Sequence, residues 1–84
     1  MNKTEFIKEL EAEAGITNEQ AAIVNEIMEN HSFIGKNSKR QVESEVADAL
    51  NVDETEAVRI SDIASGIIAT AIKDKLKHPF GGRD

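Results

Sequence analysis

Apolar residues along the chain recur at three- and four-residue steps, the spacing of one helical face, rather than alternating as a half-buried strand would. Phe6, Ile7, Leu10 and Ala14 form a first stripe, which Gly15 closes as a left-handed stop. Ala21, Val24, Ile27 and Met28 form a second, broadened by Ile23. Val42, Val46, Ala49 and Leu50 form a third, with Asn51 at its C-terminal end. A fourth runs from about Asp53 to Lys77 and carries Ile60, Ile63, Ala64, Ile67, Ile68, Ala71, Ile72 and Leu76.

Each stripe is preceded by a helix-start signature. Asn2–Glu5, Thr17–Gln20, Ser38–Gln41 and Asp53–Glu56 all place a capping side chain three residues before Glu or Gln. The first side chain can accept a free N–H of the opening turn while the second reaches back to the cap. Met1, Ile16 and Val52 stand just ahead of three caps, with Phe6, Ala21 and Ala57 as their staple partners. Pro79 ends the last helix. The expectation is an all-α chain: one compact four-helix domain over residues 1–78, a long C-terminal helix, and a flexible tail at 79–84.

The long helix sets the first functional expectation. At about 25 residues it spans ~37 Å, roughly twice its neighbours. Either it kinks at Gly66 or its distal half packs on something else. Ile67, Ile68, Ile72 and Leu76 are therefore candidates for an interface, with a second copy as the leading partner and an unidentified protein as the other. Ser61, Ser65 and Ala69 add a line of small residues at four-residue steps, which permits close helix approach.

Composition narrows the classes. The chain has 84 residues, a net charge of −6, three Phe, no Trp, no Tyr and no Cys. Size scaling gives a folded surface of roughly 4,900 Å², so a core can form but with a thin margin. Excess acid disfavours a general DNA-coating role, and the lack of Cys removes disulfides, thiolate catalysis and Cys-based zinc sites. Residues 1–35 carry seven acids and two bases, while residues 36–84 carry nine acids and eight bases. The acidic end suits solubility and the near-neutral end suits contact. No apolar h-region follows Lys3 and Lys8, and the longest mostly apolar run, Ile67–Ile72, is far short of the ~20 residues a bilayer needs. A cytoplasmic protein without membrane contact is expected.

One helix start departs from the electrostatic rule. Acids favour helix N-termini, and Glu5, Glu19 and Asp53 with Glu54 and Glu56 obey. Around Ser38 stand Lys36, Lys39 and Arg40 instead. Cations converging with free N–H groups, beside the permissive Gly35, would suit an anion or a nucleic-acid phosphate. The plainer reading pairs these cations with the acids that open the last helix.

Three resemblances bear on function. Met1-Asn2-Lys3-Thr4-Glu5, followed by Ile7, Ala12, Ala14-Gly15, Thr17 and Ala21, resembles the first helix pair of the HU/IHF histone-like DNA-binding proteins over residues 1–30. The resemblance implies an intertwined dimer body; the family's basic β-arm has no counterpart here. Within Gln41–Ile60, Val46-Ala47, Leu50-Asn51-Val52, Ala57 and Ile60 are similar in spacing to a DNA-reading helix-turn-helix. There the second helix would enter the major groove, but it would lead with Asp53-Glu54-Thr55-Glu56, carboxylates against phosphates. Ser32 to Ser38, with Val42-Glu43 after it, resembles the modified serine segment of acyl and peptidyl carrier proteins. Asn37 stands there for the family's Asp and Lys39 for its Leu.

Catalysis finds little support. His31 and His78 stand far apart in the chain, and His31, beside Asn30, suits a helix end. No Gly-rich phosphate loop and no paired Glu-x-x-His motif occurs. Asp74 and His78, one turn apart, suit a helix-end ion pair. The expectation is a non-enzymatic interaction or regulatory module with no catalytic residue, metal or cofactor; a DNA-associated protein using Lys36, Lys39 and Arg40 is the alternative, and a degenerate carrier protein modified at Ser38 comes third.

Overall fold

The computed structural model describes residues 2–31 and 36–77, with side chains at 2–31 and 39–73. The chain forms four α-helices: α1 (Lys3–Ala14), α2 (Asn18–Asn30), α3 (Lys36–Leu50) and α4 (Glu54–Lys77). No strand occurs among the described residues, so the all-α, four-helix expectation holds. Met1 and the expected tail at 79–84 lie outside the described residues.

The caps explain where the helices begin. Asn2 accepts the Glu5 N–H at 2.9 Å, and Glu5 accepts the Asn2 N–H at 3.2 Å, a reciprocal box. Thr17 and Gln20 repeat it at 3.0 Å in both directions. At α4 the forward bond forms, with Asp53 accepting the Glu56 N–H at 2.8 Å. The Glu56 carboxylate turns to Arg59. The box expected at Ser38 rests on a side chain outside the described residues, but the backbone shifts the expected helix start. α3 starts at Lys36, which puts Ser38 inside the first turn. Lys36 and Asn37 both tolerate helical backbone.

The helix ends follow from residues able to take a left-handed backbone. Gly15 sits at φ 68° and donates to the Glu11 carbonyl at 2.9 Å. Asn51 takes φ 56° without being glycine, its short amide being among the few side chains that tolerate this region. The Val52 N–H then reaches the Ala47 carbonyl at 3.1 Å, the six-to-one bond of a Schellman ending.

Each helix packs on two neighbours: α1 on α2 and α4, and α3 on the same two. The four make a ring around a shared apolar centre. Leu10, Val24, Val46 and Ile60, one from each helix, are its largest fully buried side chains. Ala49 differs from expectation, being exposed, while Ala47 takes the position against the core. The partly buried Ile16 and Val52 also pack on the core, ahead of the fully buried Ala21 and Ala57.

Lys39 and Asp62 fix how α3 and α4 run. Their charged atoms stand 3.5 Å apart, although Lys39 lies ~16 Å along α3 from its last residue and Asp62 ~12 Å along α4 from its first. Such a contact far from the turn shows that α4 folds back over α3. α4 has 24 residues against 15 in α3, so its last third has no α3 alongside. It runs unbroken through Gly66.

Candidate functional site

The distal part of α4 is the surface where chain length, burial and chemistry coincide. Among the described side chains, the buried residues of α4 end at Ile67, which is 4% exposed and belongs to the chain's own core. That corrects its expected place in an interface. Ile68 is half-buried and packs against the same core. Ile72, one turn further, is 54% exposed, the one large apolar side chain so placed among the described residues. The Leu76 side chain lies outside the described residues. Of four interface candidates, one is therefore internal, one is shared between core and surface, and one is open.

The small residues of α4 divide in the same way. Ser61 is buried, while Ser65, Gly66 and Ala69 are exposed. A side chain added at Gly66 would meet open space, so nothing among the described residues requires glycine there.

The basic corner is partly engaged. Lys39 pairs with Asp62 at 3.5 Å, with both side chains more than half exposed, so the pair contributes little to stability. Arg40 is exposed. The side chains of Lys36 and Ser38 lie outside the described residues, and so does the whole of Ser32–Gly35. The plainer reading pairs these cations with the acids that open the last helix; Lys39 instead meets Asp62, more than two turns into α4.

Two polar clusters were not foreseen as units. Arg59 donates to the Ala14 carbonyl at 2.8 Å while its Nε donates to Glu56 at 2.9 Å. The guanidinium thus satisfies an otherwise free carbonyl at the end of α1 and is itself steadied by a carboxylate one turn back. Hydrogen bonding from Arg59 holds Glu56 below its ordinary pKa, and the same bond raises that of Arg59. A carboxylate three residues before an arginine was visible in sequence; the distant carbonyl was not. The second cluster is His31 with Glu45, whose Nε2 and Oε2 stand 2.6 Å apart. His31 ends α2, as its position suggested, and also ties that end to α3.

Two buried polar atoms, Asn25 Nδ2 and Ser61 Oγ, have no hydrogen-bond partner among the described residues. Among the same residues, no three His, Cys, Asp or Glu side chains gather as a metal site would require. No helix there is long and apolar enough to cross a membrane. Asp74 and His78 fall outside the described side chains. The chain matches no known family model, no curated protein and no solved structure.

Proposed function

We propose that this chain is a small, non-catalytic helical module of the cytoplasm that acts through self-association and regulatory contacts, with α4 as its contact element. The exposure of Ile72 on a helix that outruns its neighbour supports the reading. An isoleucine left open beside the half-buried Ile68 costs roughly 1–2 kcal/mol relative to full burial. A partner surface would recover part of that. Among the described residues the core beneath ends at Ile67, so this part of α4 can be covered without disturbing the four-helix ring.

Sedimentation equilibrium tests it. The wild-type chain should approach twice its 9.2 kDa mass as concentration rises. Ile72→Asp should stay monomeric with an unchanged helical circular dichroism spectrum. A wild-type monomer throughout would remove the self-association reading.

A second reading, a DNA-associated protein, draws on the exposed Lys39 and Arg40 and on the histone-like resemblance of residues 1–30. Pairing of two chains would bring two basic corners together against the overall negative charge. Titration of labelled duplex at low and physiological salt distinguishes it. Binding that weakens with salt and disappears in Lys39→Ala/Arg40→Ala supports it, and no binding at low salt removes it.

A further inference from the structure

Resting on the self-association reading, we propose that two copies pair through α4 in antiparallel fashion about a two-fold axis between Ile67 and Ile68, with Asp62 of each copy meeting Lys73 of the other. Asp62, Gly66, Ala69 and Lys73 follow four-, three- and four-residue steps, so they line one stripe of the helix. All four are exposed. The stripe is symmetric in chemistry about its centre. An antiparallel pair related by that axis sets Gly66 level with the second copy's Ala69, and Asp62 level with its Lys73. The same operation repeats both meetings at the other end, as an isologous contact demands.

Three observations converge on this arrangement. First, the charges complement one another only when the helices run in opposite directions; a parallel pair would set Asp62 against Asp62 and Lys73 against Lys73. Second, Gly66 is costly where it stands. A mid-helix glycine destabilises by roughly 1 kcal/mol relative to Ala, and the open space around it shows that packing among the described residues does not require it. A second helix backbone approaching at Gly66 and Ala69 gives the missing side chain a use. Third, Ile72 flanks the stripe about a quarter turn from its centre, one turn from Ala69, and comes level with the turn of the second copy that holds Ser65, whose small side chain leaves room for it. The Lys39–Asp62 pair does not compete, because an exposed carboxylate can accept from two cations.

The test uses the whole chain and exchanges charges. Asp62→Lys and Lys73→Asp should each weaken dimerisation by roughly tenfold or more, since each places like charges together twice. The double exchange, Asp62→Lys/Lys73→Asp, should restore it, because opposite charges then face each other again at both ends of the stripe. Circular dichroism should show all three folded, as both positions are exposed. A chain that is monomeric as wild type overturns this arrangement together with the self-association it rests on. A dimer whose affinity ignores the single exchanges, or is not recovered by the double one, overturns the antiparallel pairing alone. Lys73→Cys adds an independent readout in a chain without cysteine. Ready disulfide linkage between two such chains would require the parallel arrangement and would also overturn the proposal, because the axis holds the two positions ~16 Å apart.

Discussion

Arg59 and Ala14, 45 residues apart in sequence, are joined by a hydrogen bond of 2.8 Å from the guanidinium to the backbone carbonyl. It links α4 to the last residue of α1, beside the left-handed Gly15 that ends that helix. Arg59→Ala should therefore lower the Tm, because the Ala14 carbonyl loses its guanidinium donor. Thermal unfolding by circular dichroism measures it, and an unchanged Tm would show that water replaces the guanidinium without cost.

The same cluster has a pH signature. Arg59 depresses the pKa of Glu56 in the folded chain, so the folded state holds that carboxylate's proton less readily than the unfolded one. The contribution is present above the ordinary glutamate range and fades as the pH falls through the depressed value. Stability of the wild type should thus decline on acidification more than that of Glu56→Gln, the difference vanishing at the acid extreme. Parallel urea titrations across the acidic range test the sign.

The two left-handed positions should respond oppositely to substitution. Gly15→Ala forces a Cβ into φ 68° and should cost about 1 kcal/mol, although no neighbour stands in the way. Asn51→Gly relieves the residual strain at φ 56° and should leave stability unchanged or slightly raised. Chemical denaturation of the pair measures both.

Ile60→Ala should cost about 2–5 kcal/mol, because its side chain is almost completely buried at the centre of the ring. In so small a domain that removes a large part of the total. Loss of the cooperative unfolding transition at room temperature is the expected result.

Ser61→Ala should raise stability by up to about 1 kcal/mol. Ser61 is 3% exposed and its buried hydroxyl has no partner among the described residues, so its removal relieves an uncompensated desolvation. A fall in denaturant midpoint would reveal a hydrogen bond to ordered water.

What sequence discloses here is local. Asn2, Thr17 and Asp53 could be read as caps because a capping bond spans three residues and needs only the right pair of side chains. Gly15 and Asn51 could be read as helix ends for the same reason. Ser38 misled because its pairing with Gln41 is locally sound, yet nothing in Lys36 or Asn37 stops the helix from beginning earlier. Ile67 misled for a different reason. Ile67 and Ile72 lie on the same long helix and are alike in sequence; which is internal depends on where the core ends, and that is set by other helices. The Arg59 bond to Ala14 was likewise invisible, because a backbone carbonyl leaves no mark in the letters.

The ring of helices has a kinetic consequence. Three of its four interfaces join helices that follow one another, and only the one between α1 and α4 requires the two ends of the chain to meet. Closing that loop is the slowest-rewarded step in conformational entropy, so contacts there belong late in folding. Changes at Arg59 should accordingly hasten unfolding and leave the refolding rate nearly untouched. Those inside the consecutive hairpins should slow refolding as well.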